Sequence, residues 1–470
     1  MYLLSKYQDN PWMGFNEIRK KYGDVVSLKM GQCKAVLVSS AEAMREVLLL
    51  KGDVFCDRPS FHRYGLIFGR DKHNSLALCD WSDLQKTRRS MAQSGVIPKY
   101  GSKCYKDLSK CIENEVNLMV KQTIDCKETT ILTKQHILIL CAKIFIKPPN
   151  GCKKFLDAVH NYDYIFHDIN QCYAIDFIPY LSVLGLHKSY FDFVEDSATS
   201  LRNYVEKELV GQRLEATVDR LENEGIDAKE GRDDFLELML EHYVRNPSSM
   251  SWSECMYEIG DLVGGHSAVG NLLMRLIGFV ALNPNVQNQL YIEAKNALKR
   301  LPNDEGIINL EHRPVMPLTE ASILETLRLT SSPIVPHVNK VDATLQDYDI
   351  EKGTMILFNT YYLNMSAEYW SDPQQFKPSR FVSSSGSVSH ISKPDHFFPF
   401  SSGRRACLGY KMVQTITFTA IANLVLNFEI SALNDEQRSE MSRQLAPKGC
   451  LALDLSDKCF KVSLSPRPEK

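Results

Sequence analysis

The sequence predicts a mainly α fold with a smaller β portion, and three observations lead there. The chain runs without proline from Trp252 to Asn283. Residues 105–145 and 150–215 carry apolar positions at helical rather than alternating spacing. β-rich runs are short: Val25 to Met30 and Cys33 to Val38 flank Gly31-Gln32, a natural two-residue turn.

Taken in order, residues 11–50 read as helix, hairpin, helix. Residues 57–78 mix aromatic, charged and glycine residues without periodicity and read as a long loop, a kind of segment that often carries function. Trp81 opens the next helix, with Gln85, Arg88 and Arg89 along one side. Lys86 and Arg89 read as a basic surface. An aromatic cluster follows at Tyr162, Tyr164, Phe166, Tyr173 and Phe177, a composition found more often in cores than in ligand sites. Residues 215–234 are charged, punctuated by glycine and expected in solvent. Ser251 and Glu254 form a capping box that opens the proline-free helix. At about 1.5 Å per residue that helix is nearly 50 Å long, enough to cross a domain. Asn283-Pro284 starts the next helix. Pro317 opens another, on which Glu325 and Arg328 share a face. Residues 331–337 should run as a strand, 382–392 as a serine-rich surface loop, and 447–451 as a turn.

Composition narrows the function. The chain has 470 residues, 44% of them hydrophobic, and a net charge of −2, so nothing draws it as a whole toward nucleic acid. Thirteen cysteines at irregular spacing, without C-x-x-C pairs, suggest a reducing compartment rather than a disulfide framework. No run of 18 apolar residues would span a bilayer, and the amino end does not read as a signal peptide.

The chemistry lies in Phe400-Ser401-Ser402-Gly403-Arg404-Arg405-Ala406-Cys407-Leu408-Gly409, of the form F-x-x-G-x-R-x-C-x-G, with a helical run at once behind it. A thiolate at the mouth of a helix is stabilised by unpaired N–H groups and the positive end of the dipole. Gly403 and Gly409 let backbone pass close to a flat ligand, and Arg405 can reach an anionic group on its rim. These are the requirements of a thiolate-ligated haem. In the middle of the long helix, Gly264-Gly265 costs about 1 kcal/mol per residue against alanine, which close approach to such a ligand would offset.

This loop resembles the haem-binding loop of cytochrome P450, and the resemblance extends in family order through Trp81, the Gly264 helix, E-x-x-R at Glu325 and Arg328, and the segment around Arg380. It implies one P450-fold domain over residues 1–470, holding haem b (iron protoporphyrin IX) through Cys407. The resemblance further implies that Trp81 and His337 meet haem propionates, with Arg88 standing in for an arginine that Gln85 replaces. Glu325, Arg328 and Arg380 would form an architectural cluster beneath the loop. Ile334 and Val335 would face substrate, and residues 57–78 would cap the pocket. The main departure is on the long helix. Where family members have an acid and an alcohol that relay protons, this chain has Ser267 and Ala268, with His266 before them as a titratable neighbour.

The run Gly264-Gly265-His266-Ser267-Ala268-Val269-Gly270-Asn271, with the segments at 80–82, 168–177 and 408–414, is similar to the insect spook type. That likeness implies a monooxygenase acting on a small apolar sterol at an early step of ecdysteroid synthesis. It implies dioxygen and NADPH-cytochrome P450 reductase as partners, and a monomer on the cytosolic face of the endoplasmic reticulum membrane. The chain begins without the family's usual apolar anchor, so attachment would involve a segment missing here and the distal surface. Two rivals stay open: a P450-fold isomerase or dehydratase that does not use dioxygen, and an inactive haem- or sterol-binding relic.

Overall fold

A computed structural model describes residues 6–7, 10–96, 101–126, 128–146, 153–171, 173–182, 185, 188–224, 235–245, 251–303, 305–385 and 388–468. The amino-terminal helix Pro11–Tyr22 is capped by the Asn10 side chain, with Pro11 in its first turn. Val25–Met30 and Cys33–Val38 pair as the expected antiparallel hairpin. Its turn lies under the short helix Ala174–Phe177: Gln32 N–H donates to the Phe177 carbonyl at 2.9 Å. A Cβ at Gly31 would lie 2.2 Å from that oxygen. Strand Cys33–Val38 pairs in parallel with Met355–Phe358, and His337–Val338 closes this four-stranded sheet.

Helices make up most of the rest. Trp252–Leu282 is the central helix, opened by the Ser251–Glu254 box. It is long and apolar enough to cross a membrane by composition, but 83% of its most apolar window is buried. Its carboxyl half packs into a core that includes Leu324, Phe381, Ile416 and Ile421. Its amino half joins a second core with Tyr162, Ile165, Val194 and Leu201. Residues 264–268 fall where the two cores meet.

Four expectations change. Residues 57–78 are no plain loop, since they contain the helix His62–Ile67 and the turn Lys72–Asn74. Arg63 there is fully buried, bonded to both carboxylates of Asp168 and Asp176 and to the Asp168 and Gln171 carbonyls. Helix Gly211–Glu224 takes up the first part of the charged connection, and residues 225–234 lie outside the described residues. The serine-rich stretch is a hairpin, Val382 opposite Ile391, in which small hydroxyl side chains hid the strand pattern. Of the strand expected at 331–337 only His337 pairs, because Pro333 and Pro336 have no N–H to give a ladder.

Candidate active site

Helix Tyr410–Asn427 begins three residues after Cys407. Ahead of it the loop folds on itself, with Cys407 N–H donating to the Phe400 carbonyl at 2.9 Å and Ala406 N–H to Gly403. Gly403 is needed here for a reason other than a flat ligand. Its φ is +73°, and a Cβ would lie 2.0 Å from the Leu48 carbonyl in the turn Glu46–Leu50, on which the loop rests. Burial raises the pKa of the Cys407 thiol, while the Gly409 N–H and Arg89 pull it down. Cys407 lies deep in the protein yet has free surface. The sulfur therefore faces an interior space.

The central helix also keeps one stripe with free surface. Asp261, Gly264, Gly265 and Ala268 are partly exposed, while Val263, His266, Ser267 and Val269 are buried. Ala268 thus presents a methyl group. Ser267 and His266 turn the other way and form no part of this stripe. The His266 ring packs edge-on to Tyr162, its Nδ1–H donates to the Val263 carbonyl at 2.7 Å, and Nε2 lies 3.5 Å from the Ser267 hydroxyl. Burial pushes its pKa down to about 4, so it is neutral at physiological pH. A Cβ at Gly264 would press on the Tyr162 ring at 3.2 Å, whereas at Gly265 it would only touch Phe145. Helix packing is thus reason enough for Gly264. Asp261, which the sequence did not single out, accepts from the Ser75 hydroxyl and Leu76 N–H, and burial raises its pKa to about 6.

Below the stripe is a buried group of donors. Arg405 Nη2 donates to the carbonyls of Ala77 and Cys79 at 2.9 and 2.7 Å, leaving Nε and Nη1 buried without a partner. His337 Nδ1 donates to the Phe55 carbonyl at 2.6 Å, and its Nε2 is likewise buried and unpartnered. Beside them is Arg58, 6% exposed, whose guanidinium bonds, among the described residues, only to the carbonyls of Ala77, Val335 and Pro336. Burial lowers the pKa of both His337 and Arg58, helped by the charges of Arg58 and Arg405 at His337 and of Arg405 and Arg89 at Arg58. Among the described residues no carboxylate pairs with either arginine. Two buried guanidinium groups without an anion are costly, and a ligand carrying two carboxylates would relieve them. A haem fits this donor set. Arg58 went unnoticed because its tripeptide, Asp57-Arg58-Pro59, lies in an aperiodic stretch.

The remaining residues divide. Trp81 lies just before the helix Asp83–Val96, its ring under the guanidinium groups of Arg404 and Arg405 at 5.3 and 5.9 Å, so it positions the arginines. Arg88 is removed from the site, because Glu258 and the His73 and Asn74 carbonyls take its guanidinium. Gln85 is spent on the Leu76 carbonyl. Arg89, read as surface, turns inward to the Ala406 carbonyl. Ile334 packs into the core beside the sheet, with Val36 and Phe358, while Val335 reaches the core of Tyr162 and Val263. Glu325, Arg328 and Arg380 come together: both arginines donate to the Glu325 carboxylate at 2.8–3.0 Å, and Lys377 N–H adds a fourth bond.

A thiol with free surface at a helix mouth, beside anion-seeking donors, is the arrangement that a haem-thiolate protein needs. The family model "Cytochrome P450" matches residues 1–451, and the chain belongs to the cytochrome P450 family as a monooxygenase. It is 31% identical to Cytochrome P450 307a1 of Drosophila melanogaster, over 99% of this chain and 87% of that one. It is 26% identical to the steroid 17-alpha-hydroxylase/17,20 lyase of Macaca fascicularis, over 96% and 87%. A zebrafish cytochrome P450 solved with abiraterone superposes with a TM-score of 0.72 at 18% identity, covering 97% of this chain and all of that one. That last likeness concerns the fold.

Proposed function

We propose that this P450 monooxygenase oxidises an apolar, sterol-like substrate bearing its own hydroxyl, at an early step of ecdysteroid synthesis. The observation that carries the reading is Ala268 on the interior stripe, with Ser267 and His266 turned away. The likeness of residues 264–271 to the spook type, together with the identity to Cytochrome P450 307a1, supports the pathway. The steroid hydroxylase among the relatives supports the substrate class.

In this reading residues 1–470 form one domain and haem b is held by Cys407, with Arg405, Arg58 and His337 on its propionates and Trp81 bracing Arg405. Once bound, the haem supplies the redox chemistry that activates dioxygen. The chain's own residues do the rest. Phe400, Gly403 and Gly409 shape the loop so that the sulfur faces the space and its N–H neighbours favour the thiolate. The apolar wall of Gly265, Ala268 and Val335 excludes water and binds a flat hydrocarbon. Protons reach the reacting face through the substrate hydroxyl, since the stripe offers no alcohol of its own. Electrons come from NADPH-cytochrome P450 reductase, whose acidic surface would suit exposed Lys86, Arg404 and Lys411. The protein works as a monomer at the cytosolic face of the endoplasmic reticulum.

The test is turnover of early ecdysteroid-pathway sterols with reductase under isotopically labelled dioxygen. Product that requires dioxygen and leaves label in product or water is expected, and the same sterol without its hydroxyl should consume NADPH while releasing peroxide. Tight coupling with that analogue would refute the hydroxyl relay. Turnover unchanged without dioxygen and NADPH would overturn the oxidation itself. Separately, Cys407→Ala should abolish activity.

A further inference from the structure

The first two turns of the helix Asp83–Val96 carry Gln85, Lys86, Arg88 and Arg89, and the structure spends them differently. Gln85 goes to the Leu76 carbonyl and Arg88 to Glu258, while Lys86 is exposed. Arg89 alone reaches the loop. Its Nη2 donates at 2.5 Å to the carbonyl of Ala406, the peptide directly before Cys407. The residue is half-buried, and burial together with Arg405 lowers its pKa to about 10, so at neutral pH it is a cation. Influence runs both ways, since Cys407 steadies the Arg89 charge and Arg89 favours the thiolate. The other group acting on the sulfur in that direction is the Gly409 N–H, a dipole rather than a charge.

We propose that Arg89 is a positioning residue for the Cys407 thiolate: it locks the Ala406 peptide and sets one half-buried cation beside the sulfur, raising the reduction potential of the metal that the sulfur holds. This rests on Cys407 as the iron ligand. The sign follows from electrostatics. Reduction adds negative charge to the iron–sulfur unit, and a nearby cation in a medium of low dielectric constant favours the more negative state. Hydrogen bonding and charge around a ligand sulfur are established levers on potential. In return the cation weakens electron donation from the sulfur, so Arg89 trades ease of reduction against push toward oxygen. A chain whose central helix presents a methyl in place of an alcohol would gain from easy reduction once substrate is seated.

The experiment uses the full chain loaded with haem, titrated with redox dyes, and records the ferrous–carbon monoxide spectrum. Arg89→Gln should shift the reduction equilibrium about tenfold toward the ferric state, about 59 mV for one electron, with the thiolate signature retained. Arg89→Lys should stay within about twofold of wild type, as should Lys86→Gln, which removes an exposed cation from the same helix. A potential for Arg89→Gln within twofold of wild type overturns the proposal, as does an equal shift in Lys86→Gln. If Arg89→Gln cannot hold haem, Arg89→Lys decides: haem retained at wild-type potential supports the role of the charge, and haem lost there too overturns it in favour of shape alone. Cys407→His is the separate control. An unchanged carbon monoxide spectrum in that variant would remove Cys407 as ligand, whatever Arg89 does.

Discussion

Replacing Glu325 with alanine leaves two arginines without their counter-charge. Glu325 and Arg328 are fully buried and the Arg380 side chain is 7% exposed. Four donors converge on one carboxylate: Arg328 Nε and Nη2, Arg380 Nε and Lys377 N–H, at 2.8–3.0 Å. Arg328 retains the carbonyls of Asn364 and Pro373, but these cannot neutralise it. Removing one partner of a buried pair costs about 3–5 kcal/mol, because the surviving charge is stranded. Against a typical stability of about 5–15 kcal/mol, that is a large fraction. Unfolding entropy for 470 residues is about 1 kcal/mol per kelvin, so the melting temperature should fall by about 3–5 °C. The cluster braces Pro378–Phe381 against the helix Pro317–Thr330, and haem retention should fall with it. The assay is thermal unfolding followed in parallel by far-ultraviolet circular dichroism and the haem absorption band. Glu325→Asp keeps the charge on a shorter stem and should recover part of the loss. An alanine variant within about 1 kcal/mol of wild type, holding haem normally, would refute the claim that this cluster supports the loop.

Three further outcomes follow from the donor group and the loop. Arg58→Met relieves the repulsion between Arg58 and Arg405, so the haem-free protein should be more stable while haem binds about 10–100-fold more weakly, the value of one charge-assisted hydrogen bond; haem transfer to apomyoglobin measures it. His337 Nε2 can donate to a propionate only when the ring carries both protons. Burial, Arg58 and Arg405 hold its pKa well down, and a bound carboxylate would lift it, so haem binding should take up a proton. Haem affinity should then fall as pH rises through the pKa of the bound form, and His337→Gln, which can donate at any pH, should flatten that slope. Gly403→Ala brings a methyl to within 2.0 Å of the Leu48 carbonyl at a φ of +73°, so the thiolate signature in the carbon monoxide spectrum should be lost even where helix content is kept.

Much of this was legible in the sequence wherever a requirement was local. The 400–409 loop, the Ser251–Glu254 box and the hairpin about Gly31-Gln32 each declare themselves within about fifteen residues. Glu325 and Arg328 lie one helical turn apart, and Arg380 follows in a short segment of its own. What stayed hidden depends on residues far apart in the chain. Nothing near Arg58 tells that Arg405 and His337 close around it. Arg89 looks like its exposed neighbour Lys86 until the chain returns, more than 300 residues later, with Ala406. The glycines were visible but their reasons were not: Gly403 yields to Leu48 and Gly264 to the Tyr162 ring. Helical periodicity does put Ser267 and Ala268 on different faces, yet the facing walls decide which of them meets the interior.

The buried grip of Arg63 bears on how the molecule breathes. One guanidinium ties the helix His62–Ile67 to the end of the helix Lys153–Ile169 and, through Asp176, to the start of the next. Three segments that would otherwise drift separately are coupled, and lifting any one means pulling a charge out of a dry socket, at a cost of several kcal/mol. Thermal motion of that size is slow. Traffic to the interior along this seam is therefore a rare event, and whatever enters quickly does so by another door.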